Sequence, residues 1–398
     1  MRVLQINAVC GNGSTGLIVK DIASQVEKNG DEAFVAFQNG QASKNFYVFN
    51  NKFDEKLHAL YTRIFGKQGY ASKRETKKFL KWVSEIKPDI VHLHNLHGNY
   101  INLPMLLNYL SKNDIATVVT LHDCWFFTGK CTHYVEYKCD RWQESCGKCP
   151  QKHANINSIF FDKSSKVLFD REKLFVSIPR LKIVGCSKWI AEECKKSKLK
   201  NCDITYIHNG VDTSIFKPTN NEFRKKNNLE DKFVVLGFAN KWGQERNREA
   251  VLYIISTLKE DERIVLVGCD NKMMDNFSKF DNVICVGFIK DRNELADIYS
   301  SCDVFLNLTH ADTLPTVNME SICSGTPVIT YDVCGSPELV DSGSGFVVPE
   351  NDYIAIVEAK NFIKFKNFNI EIEKYHEKFS KTNNYLKYID VYKELLNN

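Results

Sequence analysis

No uninterrupted apolar run in this 398-residue chain approaches the roughly 18 residues of a bilayer-crossing helix, which excludes a membrane span of that kind. Charge of one sign is also scarce. The 53 Lys and Arg residues face 49 Asp and Glu, and a net charge of +4 is too small to argue for a nucleic-acid partner. The first residues, Met1-Arg2-Val3-Leu4-Gln5-Ile6, lack the pattern of an export signal and read as a strand, so the expected location is the cytoplasm. No internal sequence repeat is visible. The remaining composition, 43% hydrophobic and 26% charged, is that of a soluble globular protein, and the length suits two domains of about 200 residues each. The 14 cysteines then need a reason other than secretion; most are expected as reduced thiols, buried or metal-bound.

Short apolar strands alternate with helical segments along the whole chain, the pattern of parallel α/β sheets with crossover helices. The first half predicts strands at 2–8, 32–37, 90–94, 116–121 and 182–186. A second series follows at 233–238, 264–268, 283–286, 304–307, 327–330 and 345–348. The fold class is therefore α/β with two doubly wound units. The Asn209-Gly210 turn between the series is the expected hinge. Near the end, Tyr385, Tyr388, Ile389, Tyr392 and Leu395 recur at helical spacing.

The most informative stretch is 306–340, LNLTHADTLPTVNMESICSGTPVITYDVCGSPELV. Pro315 suits an early helical position and Gly325 a helix end, so Glu320 should project from a short helix while Asp312 sits on the loop before it. Backbone N–H groups at Thr316, Val317 and Asn318 would then be free at the helix start, where the dipole favours an anion such as a nucleotide diphosphate. Paired carboxylates at this spacing are otherwise solvated surface charges. Lys241 and Arg246 follow another strand, and their bland reading is a charged surface loop. Gly11-x-Gly13-x-x-Gly16 follows the first strand and fits the dinucleotide-binding pattern. A dehydrogenase would add an acidic ribose partner about 20 residues on, and Phe37-Gln38-Asn39-Gly40 offers none. His122-Asp123 closes the strand ATVVTLHD, where open α/β sheets place their ligands, although a structural histidine fits equally well. His92, His94 and His97 cluster after another strand, and the sequence does not choose among them.

These motifs together resemble the nucleotide-sugar-dependent retaining glycosyltransferases of family four, in particular their capsule and colanic-acid branch, whose Asp-Asn-Leu-Pro is close to Asp312-Thr313-Leu314-Pro315. The resemblance covers nearly the whole chain, including HNGVDTSIFKP and LHDCWFFTGKC. The family usually has Glu where this chain has Asp312. The resemblance implies a GT-B fold: an acceptor-binding Rossmann-like domain at 1–208 with a Cys-rich insert at 124–150, a nucleotide-sugar-binding domain at 209–380, and a helix at 381–398 crossing back to the first. It further implies that Glu320 grips the donor ribose and that Asp312 lies by the sugar ring. Lys241 and Arg246 meet the diphosphate, in the reverse of the family's usual order of Arg then Lys. His122, oriented by Asp123, contacts the transferred sugar. Gly13, Gly16, Thr313, Leu314, Thr316, Val317, Gly335 and Glu338 complete the donor pocket. The implied reaction moves a hexose-type sugar from a nucleotide-diphosphate sugar to a glycan or polyprenyl-diphosphate-linked saccharide, in surface polysaccharide biosynthesis, with no catalytic metal. A nucleotide-sugar epimerase of the same fold and a non-catalytic nucleotide-sugar-binding adaptor are the alternatives.

Two features keep two readings each. Cys131, Cys139, Cys146 and Cys149 fall within 19 residues, and read either as a structural zinc site or as free or transiently oxidised thiols. The basic amphipathic run at 73–82 reads either as a solvated face or as a peripheral contact with the inner membrane surface.

Overall fold

The computed structural model describes residues 1–42, 44–154, 156–366 and 368–397. The chain divides into two compact units, Met1–Asn209 with Asn384–Asn398, and Gly210–Asn383.

Unit 1 is built on seven parallel strands: β1 (Arg2–Cys10), β2 (Glu32–Gly40), β3 (Phe46–Val48), β4 (Ile90–Leu93), β5 (Ala116–Leu121), β6 (Leu181–Gly185) and β7 (Asp203–Tyr206). Their order is β3-β2-β1-β4-β5-β6-β7, so the direction of winding reverses between β1 and β4. Central strands of such a sheet are covered on both faces, which is why β5, ATVVTL, is buried at every residue. The two edge strands, β3 and β7, are absent from the sequence prediction. FYV and DITY are short and largely half-exposed or exposed, so neither shows the apolar run of a central strand.

Unit 2 repeats the plan with six strands: β8 (Phe233–Phe238), β9 (Glu262–Val267), β10 (Val283–Val286), β11 (Val304–Asn307), β12 (Val328–Tyr331) and β13 (Gly345–Val348). The order β10-β9-β8-β11-β12-β13 puts its reversal between β8 and β11. Five strand predictions, β5, β8, β10, β11 and β13, have the observed bounds; the others shift by a few residues at one or both ends.

The helix Lys381–Asn397 begins in unit 2 and continues into unit 1 at Asn384. Its Tyr385, Tyr388, Ile389, Tyr392 and Leu395 are buried with Val3, Ile22, Ile90, Val118 and Val184 in the unit 1 core. On the unit 2 side, the chain entering at Gly210–Val211 lies against the chain leaving at Ser380–Lys381. Val211 N–H donates to the Phe379 carbonyl (2.8 Å) and Lys381 N–H to the Val211 carbonyl (3.0 Å).

The basic run at 73–82, read as a solvated face or a membrane contact, has its apolar side packed inside unit 1. It lies in the helix Lys73–Ile86, whose Phe79 and Val83 are buried, and Trp82 packs on Phe34, Tyr47 and Phe79. Its apolar stripe therefore closes the core, leaving the lysines in solvent. Exposed apolar side chains gather instead on the helix Lys52–Phe65, at Phe53, Leu57, Leu60 and Phe65, with Phe161 stacked on Phe65. Among the described residues no helix is long and apolar enough to cross a membrane.

Candidate functional site

Open α/β sheets bind ligands beyond the carboxyl ends of the strands at the point where strand order reverses. In unit 2 the two chain segments leaving that point are the loops after β8 and β11, and β8 and β11 are neighbours in the sheet. The first carries Lys241 and Arg246, the second Asp312, so the fold brings the basic and acidic loops to one end of one sheet.

Packing fixes the basic loop. Gly237 has no room for a side chain, because a Cβ there would stand 2.4 Å from the Trp242 ring. Trp242 Nε1–H in turn donates to the Leu306 carbonyl of β11 at 3.2 Å. Lys241 is half-buried and Arg246 exposed, with Arg246 Nε–H donating to Gln244 Oε1 at 2.8 Å. Asn247, missed in the sequence, ties the two loops together. It is fully buried, and its Nδ2 donates to the carbonyls of Lys241 and Leu308, each at 2.9 Å. Its Oδ1 meets His310 Nε2 (2.6 Å), and His310 Nδ1 meets Glu350 (2.5 Å). Since Asn247 Oδ1 can only accept, His310 Nε2–H is the donor in that bond.

On the acidic loop, Asp312 Oδ1 accepts the Leu314 N–H at 3.1 Å, and its carbonyl accepts the Gly335 N–H at 3.2 Å. This joins the Asp312-to-Pro315 segment to the short turn Ser336–Leu339 that holds Glu338. Thr313 and Leu314 are buried, and the helix Thr316–Cys323 starts behind Pro315 with no side-chain cap. The expectation of free N–H groups needs one correction: Asn318 N–H donates to the Pro315 carbonyl at 3.0 Å, closing a tight first turn. Thr316 and Val317, both half-buried, remain the candidates for an anion at this helix start.

Glu320 lies on the same helix with its side chain 14% exposed. Burial raises its carboxyl to about 7, opposed by the Arg292 guanidinium 3.6 Å away and by the Tyr299 hydroxyl, which donates at 3.2 Å. Arg292 is itself held over the Phe216 ring. Neither Arg292 nor Tyr299 stood out in the sequence, because both belong to the separate helix Arg292–Ser300.

Unit 1 presents a second group beyond β1, β4 and β5. Gly11 and Gly13 take left-handed conformations (φ +75° and +63°), and Gly13 opens the helix Gly13–Lys28. At Gly16 a Cβ would press to 3.2 Å on Gly11 N, whose N–H donates to the Gly16 carbonyl at 2.9 Å, so the loop closes tightly on itself.

The histidines beside it form an ordered relay. Gln5 Nε2 donates to the Val19 carbonyl, which turns Gln5 Oε1 toward His94 Nε2 at 3.0 Å. His94 is therefore protonated on Nε2 and accepts at Nδ1 from His122 Nε2–H, 3.0 Å away. Burial lowers His122 to about 4 and holds His92 and His94 well below the ordinary histidine value, so all three rings are neutral near pH 7. His92 is enclosed by the Tyr392 hydroxyl (2.6 Å) and Thr120 (2.7 Å), a core role. Asp123 acts on His122 through its charge, while its Oδ2 pairs with His97 Nε2 at 2.9 Å and its Oδ1 accepts the Trp125 N–H at 2.8 Å. His97, 26% exposed, is the most accessible of the three histidines that follow β1 in the sheet.

The four insert cysteines line one small pocket after β5, together with Lys130 and Arg141. Among the described residues no three His, Cys, Asp or Glu side chains already stand where an ion could be held.

Comparison with known proteins gives two family matches. A model described as "Glycosyltransferase Family 4" matches residues 16–215, just over half of the chain, and one described as "Glycosyl transferases group 1" matches residues 219–382. A glycosyl transferase of Escherichia coli (strain K12) named for colanic acid biosynthesis, WcaC, is 22% identical over 385 residues, 90% of each chain. An Escherichia coli enzyme named UDP-Gal:alpha-D-GlcNAc-diphosphoundecaprenol alpha-1,3-galactosyltransferase is 26% identical, covering 58% of this chain and 64% of its own. Among solved structures, sucrose-phosphate synthase from Thermosynechococcus elongatus superposes with a TM-score of 0.69 at 15% identity, over 99% of this chain and 98% of its own. Anabaena HepE in complex with UDP and glucose gives 0.63 at 15% identity, over 99% and 100%. The architecture is thus GT-B, with two parallel sheets of seven and six strands.

Proposed function

The chain belongs to glycosyltransferase family 4, and from that premise we propose that it transfers a hexose-type sugar, with retention of configuration, from a nucleotide-diphosphate sugar to a glycan or polyprenyl-diphosphate-linked saccharide. The two Escherichia coli relatives, named for colanic acid biosynthesis and for galactosyl transfer to a diphosphoundecaprenol-linked sugar, support a place in surface polysaccharide assembly. The complex of HepE with UDP and glucose supports a nucleotide-sugar donor.

The observation that carries the reading is the stitching of the Lys241 and Asp312 loops by Asn247 at the reversal point of the unit 2 sheet. In this reading Lys241, Arg246 and the N–H groups of Thr316 and Val317 receive the diphosphate. Glu320 accepts from the ribose hydroxyls, Asp312 and His122 position the sugar, and Gly13, Gly16, Gly335 and Glu338 shape the surrounding backbone. Negative charge grows on the departing diphosphate as the glycosidic bond breaks, so preorganised positive groups there stabilise the transition state more than the ground state. The same phosphate oxygen takes the acceptor hydroxyl's proton on the front face of the sugar. No enzymatic base is then needed, unlike the two flanking carboxylates of glycosidases. The reading assigns no metal to transfer. Unit 1 is the acceptor side, and the enzyme works at the cytoplasmic face of the membrane, touching it through the exposed apolar face of the helix Lys52–Phe65.

The test is a thermal-shift screen of nucleotide sugars, followed by transfer to lipid-linked acceptors and determination of the product anomer. A true donor stabilises the fold by mass action. Lys241→Ala and Arg246→Ala should each lower kcat/KM by roughly a hundredfold to a thousandfold, the range of a positioned electrostatic group. An inverted product overturns retention. Conversion of donor without acceptor favours the epimerase, and donor binding without transfer to any acceptor favours the adaptor.

A further inference from the structure

The segment between β5 and the helix Ser164–Val176 runs through three short 3-10 turns and contains no strand or α-helix among its described residues. A segment of this length without regular backbone pairing needs another source of order. Its interior holds two buried cations. Arg171 is 1% exposed and Lys130 8% exposed. Neither makes an ion pair with a carboxylate among the described residues. Lys130 Nζ donates to the carbonyls of Gln151 and Lys152, each at 3.0 Å, and Arg171 to the carbonyls of Trp125 and Thr128. Carbonyl dipoles solvate these groups without cancelling their charge, Asp162 and Asp123 act on Lys130 and Arg171 only from beyond ion-pair distance, and burying a cation without an anion in contact is costly.

The anions that would complete the site are the neighbouring thiols. Cys131, Cys139, Cys146 and Cys149 line one pocket with Lys130. Cys131 and Cys149 lie close enough to interact, as do Cys146 with Cys139 and Cys149, and Arg171 with Cys131 and Cys146. The Cys146-Gly147-Lys148-Cys149 turn is already shaped. Gly147 and Lys148 take positive φ (138° and 45°), Arg141 Nη1 donates to both their carbonyls at 2.7 Å, and Asp162 accepts the Cys149 N–H at 2.8 Å.

We propose that Cys131, Cys139, Cys146 and Cys149 bind one zinc ion as a tetrathiolate whose net double negative charge is balanced by the buried cations of Lys130 and Arg171. Binding replaces four S–H bonds by four Zn–S bonds and releases four protons, leaving the ion divalent throughout. The thiols close inward from their positions around the pocket. Four sulfur ligands leave no open coordination position, so the ion orders the fold and does no chemistry. Its effect reaches the histidine site through Arg171, whose guanidinium lies 3.6 Å from the centre of the Trp125 ring, and Trp125 N–H donates to Asp123, the partner of His97.

Metal analysis of the full-length chain, purified with its thiols reduced and without chelator, tests this directly. About one equivalent of zinc per chain is expected, released in step with mercurial titration of four thiols. Cobalt(II) substituted into the folded protein should give thiolate-to-metal charge-transfer bands and the intense visible bands of a tetrahedral site. Cys149→Ser should lose zinc, Cys202→Ser should retain it, and Lys130→Met should bind it at least about tenfold more weakly in chelator competition, since one compensating charge is gone. Folded wild-type protein with less than about a tenth of an equivalent of zinc and no cobalt charge-transfer band overturns the proposal. Two disulfides among these four residues in freshly isolated protein overturn it as well. Because the metal content of wild type decides, a variant that fails to fold does not obscure the result.

Discussion

His94 and His122, which follow the adjacent strands β4 and β5, share one proton across an Nδ1···Nε2 hydrogen bond of 3.0 Å. That bond can exist only while at least one of the rings is neutral, and burial keeps both so. A histidine whose folded pKa is depressed binds protons more readily when unfolded. Its stability contribution is complete above the unfolded value of about 6.5 and is lost as pH falls through the folded one.

This gives the two units opposite responses to mild acid. His58 and His122, both held near 4 by burial, together with His92 and His94, lie in unit 1. His58 and His122 should each cost roughly 2 kcal/mol of stability at pH 5, and His92 and His94 act in the same direction. Glu320 in unit 2 is raised to about 7, so the folded form holds its proton more tightly and unit 2 gains stability as pH drops from 7 toward 4.5. Hydrogen exchange at pH 7.5 and pH 5 should show protection falling in β4 and β5 peptides and holding or rising around the helix Thr316–Cys323. Uniform loss across both units contradicts the assignment.

Glu320→Gln separates stability from function. Removing a carboxylate that is costly to ionise should raise unit 2 stability at pH 8 by on the order of 1–3 kcal/mol, with the gain vanishing below about pH 4.5. In the proposed donor site the same change removes an acceptor for the ribose, and nucleotide affinity should fall about tenfold, as for a hydrogen bond to a charged group. Calorimetric titration with the nucleotide checks the second point. Equal affinity in both proteins would remove Glu320 from the site.

The exposed face of the helix Lys52–Phe65 should govern vesicle binding. Phe53 is 72% exposed and Leu57 48% exposed, and burying such side chains is worth on the order of 1.5–3 kcal/mol each. The double variant Phe53→Ser/Leu57→Ser should reduce sedimentation with anionic vesicles at least tenfold. Lys77→Gln, on the helix whose apolar stripe is spent in the core, should change it far less. Full retention by the double variant would disprove this face as the contact.

Much of the architecture was legible because central parallel strands must be continuously apolar. β5, β8 and β11 announce themselves in ATVVTL, FVVLGF and VFLN, whereas β3 and β7 sit at sheet edges where that demand relaxes. The site was legible one residue at a time and illegible as a set of partners. His122 and Asp123 are adjacent in sequence, yet they serve His94 and His97 respectively, because strand register decides which side chains meet. Asn247, His310 and Glu350 were missed for the same reason: His310 lies 63 residues from one partner and 40 from the other, and no local pattern joins them. The amphipathic pattern of 73–82 does show two faces, but periodicity does not say whether lipid or protein covers the apolar side.

The helix Lys381–Asn397 has a bearing on how the protein is made. Its buried tyrosines finish a core whose other walls, from Val3 to Ile207, emerge from the ribosome long before it, with all of unit 2 in between. During synthesis the first half must wait with His92 lacking its Tyr392 partner and an apolar groove uncovered, while the second half can mature on its own. The amino-terminal half therefore gains its full core only after the whole of unit 2 has been made, so the sheet synthesised first is the later of the two to be finished.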